Sequence, residues 1–372
     1  MVNSRRSLEN IKVLKFQDFQ NISFSFFFCF LYQYINKIIS LIKKATTLAN
    51  QYLHIRNLSM STTTTHNITT PTSIPRAIAR VIPSVEQDEG VGARVRRSIG
   101  NMTVRNFTPF LMLDHFRIDP SAGFPDHPHR GQETITYVLK GNVDHEDFTG
   151  SKGTLGPGDL QFMTAGRGIV HAEMPRIDAE KDGNLDVVEG LQLWVDLPAK
   201  LKACEPRYRD LRANEIPVVT PNDKVTVKVI SGQSYGVDSV KDLAYTPVWM
   251  LDFTVLPGGS VKQKVPHGFN TFLYSMDGEI IVEGRKISKF TNIFFDTEGD
   301  EIHVSVPEFT PSPARFVIVA GEILHQEIVQ HGPFVETSFE RILKAFMDYS
   351  NFTNGFERAK GWASEIGKRM LF

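Results

Sequence analysis

DHPHRGQETITYVL, residues 126–139, is the stretch on which the reading of this chain turns. In an extended strand, side chains two apart share a face. Continuous parity therefore puts His127, His129, Glu133, Ile135, Tyr137 and Leu139 on one side, the apolar and inward one. Two imidazoles and a carboxylate on a core-facing surface are costly unless something compensates them, and a metal ion is the usual compensation. A pair of hydrogen-bonded histidines at a strand entrance is the plainer alternative. Pro128 cannot donate to a ladder, which makes this position a strand start or an edge.

A second stretch, GRGIVHAEMP at residues 166–175, repeats the two-residue spacing with His171 and Glu173. If its strand neighbours the first in one barrel, His127, His129, His171 and Glu173 converge into a site of three imidazoles and one carboxylate. Such a donor set suits Fe, Mn, Ni, Cu or Zn, and ligand type alone does not choose among them. The remaining histidines show no such pairing. VPHGFNTFLYSMDG, residues 265–278, has His267 but no His-X-His, and His303, His325 and His331 are scattered and read as structural. His115 and His145 are taken as surface or supporting residues. Arg167 is either a cation at the pocket mouth or a turn-stabilising surface residue.

Outward from these motifs, Ile78 to Val329 alternates short apolar runs with Gly, Pro, Asp and Asn clusters, an all-β pattern. Val225, Val227 and Val229 share one face, and Trp249, Leu251, Phe253 and Val255 share another. Turns are signalled at Pro157-Gly158-Asp159, Pro257-Gly258-Gly259 and Gly299-Asp300. TYVLKG ending at Gly141 lies over LYSMDG ending at Gly278, and Gly158-Asp159 then falls near Gly299-Asp300, which suggests two copies of one barrel. After Phe339, RILKAFMDY and FERAKGWASEIGKRM space apolar residues three to four apart and predict helix. The expected organisation is an extension over 1–75, a metal-binding barrel over 76–200, a linker over 201–222, a metal-free barrel over 223–335 and a helical tail over 336–372.

The 372 residues suffice for two or more domains with ample core. Two cysteines, Cys29 and Cys204, are too few for a disulfide framework or a thiolate site, which fits a reducing compartment. The net charge of −1 conceals an asymmetry: residues 1–60 hold 8 Lys and Arg against 2 Asp and Glu, leaving a body with 33 against 40. An acidic body has no basic surplus for phosphates, so direct nucleic-acid binding is not expected. ISFSFFFCFLYQYINKIISLI, residues 22–42, approaches the length of a membrane span. Residues 1–59 are read as an upstream extension or gene-model artefact, with a signal anchor and an organelle presequence as the alternatives. The sequons at Asn101, Asn106 and Asn351 matter only in a secreted chain.

FPDHPHRGQETITYVLKGNVDHEDFTG, then GPGDLQFMTAGRGIVHAEMP, GLQLWVDLP, QHGPFV and NGFERAKGW, resemble the pirin family of the cupin superfamily, from about Arg76 to the C-terminus. The resemblance implies an all-β bicupin, two β-barrels with a short C-terminal helical tail, of which the first holds a single iron (Fe2+/Fe3+). The positions matching the family's ligands are His127, His129, His171 and Glu173. The broader cupin pattern would nominate Glu133 instead. Here Glu133 is read as a residue that orients a ligand imidazole. Gln132 and Phe162 stand where related members often carry aromatic residues. The implied activity is quercetin 2,3-dioxygenase-type ring opening of a flavonol with O2, Glu173 accepting the proton of the substrate hydroxyl. The alternative is a nuclear coregulator whose binding to transcription factors follows the iron's redox state. A monomer in nucleus and cytoplasm is expected.

Overall fold

The computed structural model describes residues 73–89, 91–176 and 187–370. The apolar stretch 22–42, Cys29 and nearly all of the expected extension lie outside them. Among the described residues no helix is long and apolar enough to cross a membrane.

The chain enters as β1 (Ile78–Pro83), then builds a first barrel from β2 (Glu86–Glu89), β3 (Val91–Ile99), β4 (Phe110–His129), β5 (Gln132–Lys140), β6 (Val143–Asp147), β7 (Lys152–Leu155), β8 (Leu160–Thr164), β9 (Ile169–Pro175), β10 (Val188–Asp196) and β11 (Arg207–Leu211). The second barrel follows as β12 (Val218–Asn222), β13 (Val225–Ser231), a short ribbon of β14 (Gln233–Ser234) and β15 (Val237–Asp238), β16 (Val248–Val255), β17 (Ser260–Lys264), β18 (Asn270–Asp277), β19 (Ile280–Val282), β20 (Arg285–Ile287), β21 (Thr291–Phe295), β22 (Glu301–Ser305) and β23 (Ala314–Gly321). A ribbon of β24 (Val329–His331) and β25 (Phe334–Glu336) leads into α1 (Phe339–Asn351). The all-β bicupin with a C-terminal helix is therefore the fold.

Pairing makes the repeat explicit. β5 lies between β8 and β10 in the first barrel, and β18 lies between β21 and β23 in the second. β6 pairs β9 as β19 pairs β22. The overlay of Gly141 on Gly278 is thus correct, since each glycine closes one of the equivalent strands β5 and β18. The second landmark is not. Gly158-Asp159 leads into β8, whose counterpart is β21, whereas Gly299-Asp300 leads into β22, the counterpart of β9.

The two barrels exchange strands. β1 pairs with β21 of the second barrel, and β11 pairs with β8 of the first. The segment expected as a linker over 201–222 instead gives β11 to one barrel and β12 to the other, and residues 78–83 belong to the second barrel's sheet. The repeated tyrosines also cross. Tyr137 donates to Asp252 Oδ2 of the second barrel at 2.7 Å, and Tyr274 bonds to His115 Nδ1 of the first at 3.0 Å. Between the barrels lies one shared core, with Phe110, Leu191, Leu193 and Val195 packed against Met250, Phe272 and Val319.

α1 starts at Ser338, whose hydroxyl accepts from the Arg341 N–H, and ends at Phe352 in the left-handed conformation. It buries Ile342, Ala345 and Asp348. FERAKGWASEIGKRM, expected to be helical, forms only 3-10 turns over Glu357–Ala359 and Gly367–Met370. Gly355 and Gly361 adopt positive φ and break the pattern, while Phe356 is drawn into an aromatic cluster with Phe334 and Tyr349. Arg130, immediately after His129, fixes this tail to the first barrel by donating to Asp348 Oδ2 at 2.8 Å and to the Asn354 carbonyl at 2.6 Å.

Candidate metal centre

β4 is long enough to serve two sheets. Its first half pairs β10, and its end pairs β9 with His127 opposite His171. The two His motifs therefore meet across one antiparallel pair. The donor atoms of His127, His129 and His171 all lie within 4.8 Å of one another. His129 and His171 are only 1% and 2% exposed.

Each imidazole is set differently. His127 Nδ1–H donates to the Pro125 carbonyl at 2.8 Å, which leaves Nε2 as a lone-pair donor. His129 Nδ1 lies 2.7 Å from the Gln132 amide. The amide atom facing it is Nε2, while the buried Oε1 has no partner among the described residues; turned over, the amide accepts the Nδ1 proton and likewise frees the imidazole Nε2. His171 has no hydrogen-bond partner for either ring nitrogen among the described residues, although both are buried. A buried imidazole with two unsatisfied nitrogens is costly, and a cation between the three rings removes that cost. Burial, reinforced by the neighbouring imidazoles, holds His129 and His171 well below the usual histidine range. Both are neutral near pH 7, the form that ligates a metal. The residues present fit a metal ion.

That depression has a measurable consequence in metal-free protein. The folded state keeps these imidazoles neutral while the unfolded chain protonates them near pH 6.5. Stability is thus complete above about pH 6.5 and falls as pH drops toward the lowered folded values, by at most about 3 kcal/mol per pH unit for the pair. The melting temperature of apo protein between pH 7 and pH 5 should fall more steeply than that of a His129→Gln, His171→Asn variant. Parallel profiles would contradict the assignment.

Glu173 lies on β9 two residues beyond His171 and is 5% exposed. It stands outside the tight cluster: Oε1 accepts from Thr136 Oγ1 at 3.1 Å, and Oε2 accepts from Gln192 Nε2 at 3.0 Å. Glu133 is not near the imidazoles. Its carboxylate accepts from Thr164 Oγ1 at 2.7 Å and from the backbone N–H groups of Tyr245 and Thr246 at 2.9 and 3.0 Å. The parity that placed it beside His129 fails because β4 and β5 are separate strands. Between them Gly131 adopts a φ of +76°, and a Cβ there would sit 1.9 Å from the Val335 carbonyl oxygen. On the far side of that break Ile135 and Tyr137 face the inter-barrel core, and the intervening Thr136 faces Glu173. Gln132, not Glu133, is the residue against one of the three clustered imidazoles.

Sequence reasoning also missed Gln192 and Trp194. Their signal was the alternation in β10, where Leu191, Leu193 and Val195 enter the shared core while Gln192 and Trp194 line the cavity. Trp194 meets the His129 ring edge-on at 5.0 Å. The cavity holds about 650 Å3, and Met112, Phe124, Trp194 and Pro333 wall it beside His127, His129 and Glu173.

The other described histidines are not among the clustered donors, although His145 lies opposite Glu173 on the β6–β9 pair. His115 and His145 are buried, contrary to a surface reading, and bond to Glu189 at 2.8 Å and Asp210 at 3.2 Å. His267, His325 and His331 are exposed, and His303 pairs with Glu301. Val261, Ile302 and Val304 fill the second barrel where the first has its imidazoles. Arg167 pairs with Glu205 on the surface.

Two family models match the chain, Pirin over residues 92–195 and the Pirin C-terminal cupin domain over residues 250–355. Human Pirin is 46% identical over 289 residues, spanning 76% of this chain and 96% of that protein. The crystal structure of a quercetin 2,3-dioxygenase from Acinetobacter baumannii superposes with a TM-score of 0.67 at 26% identity, over 75% of this chain and 98% of that one. The Escherichia coli bacterial pirin YhhW, solved with nickel(II), shares the fold with a TM-score of 0.51 at 18% identity, over 66% and 99%. With both family models matched and close to half its residues identical to human Pirin across nearly all of that protein, the chain belongs to the pirin family.

Proposed function

We propose that this protein is a mononuclear iron dioxygenase of the quercetin 2,3-dioxygenase type, with one Fe2+/Fe3+ ion held by His127, His129, His171 and Glu173. The observation that carries the reading is the buried imidazole of His171, without a partner among the described residues, clustered with His127 and His129, which line a cavity of about 650 Å3. That volume is in the range of pockets that take flat, drug-sized ligands. The likeness to the Acinetobacter baumannii quercetin 2,3-dioxygenase supports the flavonol class.

Bound at this site, iron supplies Lewis acidity toward a substrate hydroxyl and redox chemistry with O2. The protein supplies the rest. Met112, Phe124 and Trp194 offer apolar and aromatic surface to a flat ring system. The Glu173 carboxylate takes the proton of the flavonol 3-hydroxyl, while Thr136 and Gln192 fix its two oxygens. The electron-rich anion then reacts with O2, and the central ring opens with loss of CO.

Protein beginning at Met60, loaded anaerobically with Fe(II), should consume O2 when quercetin is added, and His127→Ala should not. Absence of uptake from a chain that holds one iron and still binds flavonol would end this reading. A second reading, a coregulator in nucleus and cytoplasm whose grip on a basic transcription factor follows the iron's redox state, is favoured by the acidic body, 33 Lys and Arg against 40 Asp and Glu after Met60. Equal affinity of ferrous and ferric forms across a titration would exclude it.

A further inference from the structure

Glu173 is held outside the tight histidine cluster. Its carboxylate is satisfied where it stands, with Thr136 Oγ1 on Oε1 at 3.1 Å and Gln192 Nε2 on Oε2 at 3.0 Å, so each oxygen already holds a donor. The Gln192 amide cannot turn over to release it. On its other side Trp194 Nε1–H donates to Gln192 Oε1 at 3.0 Å. An indole N–H only donates and an ionised carboxylate only accepts, so one orientation of the amide serves both neighbours. Trp194 in turn packs edge-on against the His129 ring at 5.0 Å. A continuous line of contacts thus runs from a candidate ligand imidazole through Trp194 and Gln192 to the carboxylate.

We infer that Gln192, with Thr136, is a clamp that stores Glu173 off the metal, so that the carboxylate is a detachable ligand and spends part of each cycle free to take a proton. Gln192 is on this view a positioning residue. The inference rests on the metal site proposed above. Hydrogen bonds to an ionised acceptor are among the stronger ones a protein makes. Their loss in the stored position therefore drives the carboxylate onto the ion.

The decisive variant is Gln192→Leu, close in size and unable to donate. Competition of full-length protein with a chelator for Mn2+, and for Fe2+ under anaerobic conditions, should show the variant binding about tenfold more tightly than the unaltered chain. In the iron-loaded protein, turnover with quercetin should fall in kcat with little change in KM. A residue that merely supports the fold gives the opposite sign, weaker metal binding with a lower melting temperature. Equal or weaker metal binding by Gln192→Leu overturns the inference. Should Gln192→Leu fail to fold, Thr136→Val removes the other bond and must shift affinity in the same direction. The chelator titration involves no flavonol, so failure of the dioxygenase reading and failure of the clamp are separate results. A chain that binds neither ion overturns both.

Discussion

Replacement of His171 by Ala should lower metal affinity by about a hundred- to a thousand-fold and cost the metal-free fold little. A four-ligand site gains about 10–16 kcal/mol in total, so one ligand represents roughly 3–4 kcal/mol, or two to three orders of magnitude. The unequal effect on the apo fold follows from what His171 does there. Its ring is 2% exposed and neither nitrogen is partnered among the described residues, so the side chain contributes packing but no hydrogen bond to them. Truncation leaves a small void, a cost that relief of the orphaned imidazole partly offsets. The measurement is the melting temperature with and without saturating metal. The unaltered chain should gain stability with metal as mass action requires, and His171→Ala should show no gain at the same concentration. A variant that melts far below the unaltered apo protein and still responds to metal would show that His171 is a core residue and not a ligand.

The three clustered imidazoles were legible in the sequence because the reasoning there stayed inside one strand at a time. His127 with His129 lies on β4, and His171 with Glu173 on β9, so parity held within each pair and the antiparallel register then brought the pairs together. Parity failed at Gly131, because period-two reasoning presumes an unbroken strand and a left-handed glycine resets the face. Glu133 was lost to the wrong side for that reason, and Thr136 was overlooked for the same one. The barrels were legible from apolar alternation. The strand exchange was not: β1 and β11 are ordinary short strands, and only tertiary packing decides which sheet they complete. In the tail, apolar spacing after Asn354 suited a helix, but aromatic burial and two positive-φ glycines outweighed it. His115 and His145 looked peripheral because nothing local marks a histidine whose partners, Tyr274 and Asp210, are supplied from far along the chain.

Glu133→Ala should destabilise the protein by about 3–5 kcal/mol and leave metal stoichiometry at one ion per chain. Glu133 is 2% exposed and answers three donors at once, the Thr164 hydroxyl on β8 and two consecutive backbone N–H groups, at Tyr245 and Thr246, in the second barrel's loop between β15 and β16. Arg207 lies over the Tyr245 ring at 3.7 Å and reaches the Leu243 carbonyl, so the same segment is held from both sides. Without the carboxylate, the two backbone donors lose their acceptor, and that of Thr246 is buried. Glu133→Gln should cost roughly half as much, since one amide oxygen still accepts while the NH2 group faces a donor. The outcome discriminates between the two candidate carboxylates of the first barrel. If Glu133 held an ion or oriented a ligand imidazole, its removal would weaken metal binding as much as it weakens the fold. If it is the tie between barrels that its three hydrogen bonds describe, the melting temperature falls and the metal Kd of the folded fraction stays where it was. Loss of metal at an unchanged melting temperature would return Glu133 to the metal and displace Glu173.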